Sequence, residues 1–266
     1  GGWAFWTMPP QPAVSAPFVP TDSPNTPQGT ARGIHPGRVV WVHDPDSTSW
    51  DGSTGYYWDD SNTSQAVAAD MMSKSIRWLA GEATDSAAWD AVFRHFNQTH
   101  HASSAGYQAG EKIAIKVNLN NSASYGWSGS TGSNPAPQTV YALLDQLVNV
   151  AGVAQADIAV YDASRLVGNP IFDKCHAAFP NVRFIDNDGL NGREKVARDT
   201  GAGIQFSGAS VGEPVSGTCN VPTCVTEAKY LINLAHLRAH DFASVTATAK
   251  NHFGSIWFSD MTSDDG

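Results

Sequence analysis

Two lysines stand where apolar, strand-like runs of the sequence end, each within two residues of an asparagine. Lys116 precedes Asn118, and Lys250 precedes Asn251. An ammonium group partly withdrawn from water, beside amide donors, can bind a carboxylate or a phosphate, or act as a base once its pKa falls. The alternative is a lysine whose stem lies along a sheet edge with its charge in water. Both interpretations stay open at this point.

Other polar side chains follow the remaining strand-like runs. Asp162 and Ser164 follow one of them, and His240 and His252 follow the last two. Histidine titrates near neutral pH and can therefore carry a proton. The candidate catalytic residues are Lys250, His240 and His252, and the candidate ligand-binding residues are Lys116, Asn118, Asp162, Ser164 and Asn251.

A divalent metal is one interpretation of the segment that begins at His43. His43, Asp44 and Asp46 offer an imidazole and two carboxylates, which are ordinary ligands of divalent cations. The alternative is that Asp-Pro-Asp forms a plain turn. The chain has no GxGxxG, GxxxxGK[ST] or HExxH motif, so those nucleotide-binding and metalloprotease signatures are excluded.

The elements that must position these residues alternate along the chain. Alternating strands and helices predict an α/β fold with a mainly parallel, doubly wound sheet and helices on both faces. Ligand crevices in such sheets lie beyond the carboxyl ends of the strands. The predicted strands are 38–44, 111–118, 157–162, 182–186, 229–234 and 244–249, the predicted helices are 64–80, 86–95, 137–151 and 170–178, and 202–216 is an irregular or hairpin insertion.

The first 37 residues differ from the rest of the chain. They hold more than half of the 15 prolines, interleaved with aromatic residues. Proline removes a backbone donor and disfavours helices and central strands, so 1–37 is predicted to be an extended arm. It lies either on its own domain or on a neighbouring subunit. Residues 38–266 are predicted to form the α/β domain.

Composition excludes two classes of partner. The net charge of −9 and the pI near 5.3 argue against nucleic acid, which a basic surface would attract. No stretch approaches the roughly 18 apolar residues of a membrane-spanning helix.

Several features are typical of an exported protein, either periplasmic or extracellular. Lysine and arginine total 16 beside nine tryptophans, and the chain starts at Gly1 without a methionine, as a processed export does. In an oxidising compartment, Cys219 and Cys224 would close a small disulfide loop. Two reduced thiols are the alternative.

Four segments of this chain carry a resemblance to a known family. They are Lys116-Val-Asn-Leu119, Val160-Tyr-Asp-Ala-Ser164, Leu231-Ile-Asn-Leu-Ala-His-Leu-Arg-Ala-His240 and Ser244-Val-Thr-Ala-Thr-Ala-Lys-Asn-His-Phe-Gly254. These segments are similar, in the same order, to Lys-Pro-Asn-Leu, Gly-Asp-Ser, a hydrophobic residue followed by Asn-Leu-Pro-Lys-Leu-Lys-Thr-His, and Gly-Val-Thr-x-x-x-Lys-Asn-x-Phe-Gly. The latter belong to a bacterial and archaeal family known as domain of unknown function 362, which this chain therefore resembles.

The resemblance implies three further properties. Exported members commonly carry a twin-arginine signal, which implies the same route for this chain. Many relatives carry ferredoxin-type cysteine clusters, but the three cysteines here follow no such pattern, so an iron–sulfur cluster is not expected. The family continues well past the Lys-Asn-x-Phe-Gly block, so the resemblance implies that this chain is either a fragment or a processed form, with its domain shortened at the C-terminal end.

Two functions of different classes follow from the sequence. The first is binding or conversion of a small anionic or hydroxylated ligand in a crevice at the carboxyl ends of the strands. The second is an extracellular structural subunit whose N-terminal arm contacts its neighbours and forms an oligomer. Whether the chain is an enzyme stays open.

Overall fold

The central feature of the fold is a parallel sheet. The computed structural model describes residues 26, 29–120, 122–127, 134–204, 219–240 and 244–255. The strands are β1 (Ile113–Val117), β2 (Ile158–Tyr161), β3 (Arg183–Asp186), β4 (Glu194–Lys195), β5 (Arg198–Ile204), β6 (Cys219–Pro222), β7 (Tyr230–Leu234), β8 (Arg238–His240) and β9 (Ser244–Thr246). Five strands form one parallel sheet in the order β4-β3-β2-β1-β7, and β5–β6 and β8–β9 are separate antiparallel pairs.

Helices connect most of the strands of the sheet. They are α1 (Gln65–Ala80), α2 (Asp85–His101), α3 (Pro137–Asp145), α4 (Asn169–Ala178), α5 (Thr223–Thr226) and α6 (Thr248–Asn251). α3 continues as a π-helical turn over Gln146–Val150, and α6 continues as a 3-10 turn over His252–Ser255. Ser64 and Thr84 cap α1 and α2, because each side-chain oxygen accepts a hydrogen bond from the amide three residues on.

The two faces of the sheet carry different cores. On one face, large side chains at alternate strand positions pack against α1 to α4, and Ile113, Ile115 and Val117 are typical of them. On the other face, the small Ala114 packs in a cluster with Cys224 of α5. The period of two in a strand produces this division. It confirms the predicted α/β fold with a mainly parallel sheet.

β1 is the strand at which the order of the sheet reverses. The chain leaves β1 for β2, β3 and β4 on one side, and returns to β7 on the other side of β1. Crevices in open α/β sheets form at such reversals, beyond the carboxyl ends of the strands. The end of β1 is therefore the part of the sheet where such a crevice is expected.

One predicted strand is wrong. Residues 38–44 form no strand, and Val39 and Trp41 are 90% and 78% exposed. The segment contacts α1 through its first residue instead: Arg38 Nη1 donates a hydrogen bond to the carbonyl of Trp78 in the last turn of α1. A short apolar run indicates a strand only where a neighbouring strand can pair with it.

A second difference concerns the predicted strand 244–249. Only its first three residues are a strand, β9, and that strand pairs with β8 rather than joining the parallel sheet. α6 then begins at Thr248 and brings Lys250 and Asn251 onto a helical turn. The predicted insertion is in part a hairpin, because β5 and β6 pair antiparallel, and residues 205–218 between them lie outside the described residues.

The predicted disulfide is not present among the residues that the structure describes. Cys224 is a free, buried thiol, as is Cys175. Most of the N-terminal arm lies outside the described residues, so its predicted packing is not addressed by the structure. No helix within the described ranges is long and apolar enough to cross a membrane.

Candidate functional site

Three side chains form a row across the middle of the sheet, near its carboxyl edge. Lys116 of β1 is paired with Tyr161 of β2 and with Asn233 of β7. Paired residues of parallel strands project from the same face. This face is the one opposite α1 to α4, because Ile115 and Val117 on either side of Lys116 belong to the helix-covered core.

The Lys116 ammonium group is buried and fully hydrogen-bonded. It donates to the carbonyl of Val117 (2.6 Å), to Asp162 Oδ2 (3.0 Å) and to Asn251 Oδ1 (3.2 Å). The side chains of Lys116 and Asp162 are 1% and 4% exposed. A lysine ammonium group has three donor hydrogens, so no donor remains for a ligand in this arrangement.

Asp162 is the anion of the pair and organises the turn after β2. Its Oδ2 also accepts from the backbone amide of Leu119, and its Oδ1 accepts from both the amide and the hydroxyl of Ser164. The carboxylate therefore accepts from three donors besides the Lys116 ammonium group, so both of its buried oxygens are hydrogen-bonded. Ser164 and the loop after β1 are held against the ion pair as a result.

Asn251 attaches α6 to the sheet. Its Nδ2 donates to the Lys116 carbonyl (2.9 Å) and to Asn233 Oδ1 (2.7 Å), while its Oδ1 accepts from Lys116 Nζ. Asn233 Nδ2 in turn donates to the carbonyl of Thr248, at the start of α6. Both ends of the amide are used, which fixes its orientation.

Gly254 closes the site because it has no side chain. The Ala163 amide donates to the Gly254 carbonyl, which draws the turn at 252–255 against the end of β2. A Cβ at this glycine would lie 2.6 Å from Asp162 Oδ1 and 2.9 Å from Lys116 Nζ. Only glycine permits so close an approach of the backbone to the ion pair. We refer to Lys116, Asp162, Ser164, Asn233, Asn251 and Gly254 as the Lys116 network.

A second chain of hydrogen bonds runs beside the Lys116 network. The Tyr161 hydroxyl and Ser255 Oγ are 2.8 Å apart, and Ser255 Oγ is 3.3 Å from His252 Nδ1. Tyr161 is fully buried, whereas His252 is half-buried. The chain thus connects the interior of the sheet to an imidazole that water can reach.

Two half-buried cations adjoin the Lys116 network. Arg165 follows Ser164 in the loop after β2, and Lys250 precedes Asn251 in α6. Throughout the described part of the chain, neither side chain makes a hydrogen bond or an ion pair. Positive charge without a counterion therefore lies on both chain segments that flank the network.

The electrostatics of the site follow from its burial. Burial lowers the pKa of Lys116, and the Asp162 carboxylate opposes this change. Burial also lowers the pKa of His252, and the Lys116 charge adds to the effect. Burial raises the pKa of Tyr161. At neutral pH the imidazole is therefore uncharged and the phenol protonated.

The remaining predicted site residues lie in different places. Asn118 is buried at the end of β1, and its side chain accepts from the amide of Asn120 in the following turn. His240 ends β8, opposite Ser244 of β9, and is not part of the Lys116 network. The structure thus brings together the residues of β1, β2 and α6, and places His240 on a separate hairpin.

The predicted metal ligands do not form a ligand set. Asp44 instead caps the 3-10 turn at Pro45–Ser47, where its Oδ1 accepts from the amide of Asp46. His43 is exposed beside it. Within the described ranges no three His, Cys, Asp or Glu side chains are placed to hold a metal ion. The Asp-Pro-Asp segment is a turn, which was the alternative.

Sequence reasoning missed several residues of the site. Tyr161, Asn233, Gly254 and Ser255 were not selected, and neither was Arg165. Asn233 and Gly254 lie inside the segments that carried the family resemblance, so that resemblance was the available signal. Nothing in the local pattern indicates that Ser255 lies beside a tyrosine 94 residues earlier.

A separate buried cluster holds the loop after β3. Asp186 accepts from the amides of Val167, Asp188 and Gly189, and burial raises its pKa. These hydrogen bonds between a carboxylate and nearby backbone amides stabilise the loop at the end of β3.

Comparison with known proteins identifies the family. The model of the family described as Domain of unknown function (DUF362) matches residues 113–263, a range that contains the whole Lys116 network. No curated protein and no solved structure matches the chain. Since the matched range covers more than half of the 266 residues, the chain belongs to the DUF362 family.

Proposed function

We propose that the chain binds a small anionic or hydroxylated ligand in the crevice beyond the carboxyl ends of β1, β2 and β7. The ligand would lie beside the Lys116 network, where three strands and the segment 248–255 meet. Crevices at a reversal of strand order are the usual ligand sites of open α/β sheets.

Lys116 would act through the network rather than by direct contact. Its three protons are already donated, and the side chain is removed from water. It would hold Asp162 and Asn251 in one arrangement and contribute its charge to the potential of the crevice. A buried ion pair often stabilises a protein no more than apolar side chains of the same volume would. The role of the Lys116–Asp162 pair in this proposal is therefore to organise the site.

The observation that carries the proposal is the pair of cations without counterions. Arg165 and Lys250 are half-buried and directly adjoin the network residues Ser164 and Asn251 in the chain, whose net charge is −9. A guanidinium group matches the planar geometry of a carboxylate or phosphate, and an ammonium group adds a point charge. Ser164 and Asn118 supply polar groups for hydroxyls nearby. If the ligand is converted, Lys250, His240 and His252 are the candidates for proton transfer.

Binding of simple anions to the whole chain tests the proposal. Calorimetric titration with inorganic phosphate and with acetate should give saturable binding, and Lys250→Ala should weaken it at least tenfold. Lys195→Ala is the matched control, since it removes the same charge from an exposed position on β4. The proposal would be contradicted if neither phosphate nor acetate bound, or if Lys250→Ala and Lys195→Ala weakened binding equally. Circular dichroism establishes that each variant is folded.

Export through a twin-arginine signal is also our proposal. It is supported by the low lysine content and the nine tryptophans, which are typical of exported chains. Fractionation of the source cells with an antibody to the chain tests it, and a cytoplasmic location would contradict it. The alternative function as an assembly subunit depends on the N-terminal arm, and no contact of the described residues favours it.

A further inference from the structure

The hydrogen-bond chain beside the Lys116 network has a direction. Tyr161 is fully buried, and Ser255 Oγ is the partner of its hydroxyl at 2.8 Å. A buried donor left without an acceptor costs about 1–3 kcal/mol. The phenol therefore donates its hydrogen to Ser255 rather than accepting from it.

The same reasoning fixes the next link. Because Ser255 Oγ accepts from Tyr161, the serine hydrogen is available to His252 Nδ1, 3.3 Å away. A neutral imidazole has one nitrogen that donates and one that accepts. If Nδ1 accepts from Ser255, the hydrogen of the neutral ring must be on Nε2.

The charges around His252 favour the neutral ring. Burial and the charge of Lys116 both disfavour the charged imidazole, and Lys116 is itself paired with Asp162 at 3.0 Å. Nε2 makes no hydrogen bond with the described residues, and it is not one of the buried polar atoms that lack a partner. It is therefore open to water and to a ligand.

We propose that Tyr161 and Ser255 are positioning residues that hold His252 with its hydrogen on Nε2, as a neutral donor to an oxygen of the bound ligand. This inference rests on the proposed function and deepens it. A neutral N–H donor suits an oxyanion, either a carboxylate or a phosphate oxygen. His252 then recognises the ligand without adding a charge next to Lys116.

The position of the hydrogen can be measured directly on the ligand-free protein. In the whole chain labelled with nitrogen-15 histidine, the proton–nitrogen couplings of His252 should show one tautomer, with the hydrogen on Nε2, at pH 8. Ser255→Ala and Tyr161→Phe should each convert this into a mixture of both tautomers. Ser49→Ala is the control, because Ser49 is exposed and its side chain makes no hydrogen bond with the described residues.

Two results would overturn the inference while the proposed function stands. One is a hydrogen on Nδ1 of the ligand-free wild-type protein. The other is calorimetric binding of phosphate or acetate with no change in the Nε2 signal. Failure of both anions to bind would overturn the proposed function together with the ligand role of His252. The wild-type measurement decides the tautomer even if a variant fails to fold.

Discussion

The ammonium group of Lys116 and the carboxylate of Asp162 are 3.0 Å apart, and both side chains are almost completely withdrawn from water. One residue lies in β1 and the other directly follows β2, so the pair joins the ends of two neighbouring strands. Asn251 and Gly254 enclose the pair from a segment far along the chain. The stability of this part of the fold should therefore depend on the pair being intact.

Lys116→Met should lower the free energy of unfolding by about 3–5 kcal/mol, because it leaves the Asp162 carboxylate buried without its counterion. Urea denaturation measures the effect. Lys112→Met is the matched control, since Lys112 pairs with Glu227 at the surface, where such a pair contributes about 1 kcal/mol or less. Equal losses in the two variants would contradict the buried pair.

The double variant Lys116→Met with Asp162→Asn separates charge from packing. Since it leaves no unpaired charge in the interior, it should be more stable than Lys116→Met alone. If the two substitutions were additive in their free energies of unfolding, the ion pair would have no coupling energy and this interpretation would be wrong.

Gly254→Ala should destabilise the protein by about 1–3 kcal/mol, because the new methyl group would displace the Lys116–Asp162 pair or the turn that covers it. Gly126→Ala is the control, since a Cβ there meets no atom within 4 Å. Denaturation curves of both variants give the comparison. A Gly254→Ala protein as stable as the control would show that the turn does not lie against the pair.

Stability should fall as the pH drops below about 6.5, the ordinary value for histidine. The pKa of His252 is lowered in the folded state, so the unfolded chain binds more protons between the folded pKa and 6.5. This loss of stability is complete below the folded-state pKa of His252 and absent above pH 6.5. His236 should add a loss in the same direction, since burial also lowers its pKa.

The variant His252→Gln should therefore lose less stability than the wild-type protein between pH 7.5 and pH 5. Its remaining pH dependence would come partly from His236. Identical slopes in His252→Gln and the wild-type protein would mean that His252 is not buried beside Lys116.

The cysteines should behave as free thiols. Burial raises the pKa of Cys175 to about 12 and that of Cys224 to about 11, so both should react slowly with iodoacetamide in the folded protein. In denaturant without a reductant, all three cysteines should be alkylated, as counted by mass spectrometry. If two of the cysteines were alkylated only after a reductant had been added, the predicted disulfide between Cys219 and Cys224 would be supported instead.

Much of the fold could be predicted from local patterns. The helix at Gln65–Ala80 and the strand at Ile113–Val117 are confirmed, because each has the periodicity of its own structure and a cap or a polar end. The strand predicted at 38–44 is wrong. This apolar run has the composition of a strand, but no strand among the described residues pairs with it.

The candidate site, too, could be predicted only in part from the sequence. The sequence by itself determined that Lys116 lies near, and Asp162 follows, the end of a strand-like segment, since this depends on the chain near each residue. The strand predicted before Asn251 is instead a helical turn in the structure. Only the tertiary structure decided that these three residues meet, that the Lys116 ammonium group has no donor left, and that Tyr161 and Ser255 lie beside His252. Local periodicity determines which face a residue occupies, whereas strand order and register determine its neighbours, and both depend on contacts between distant parts of the chain.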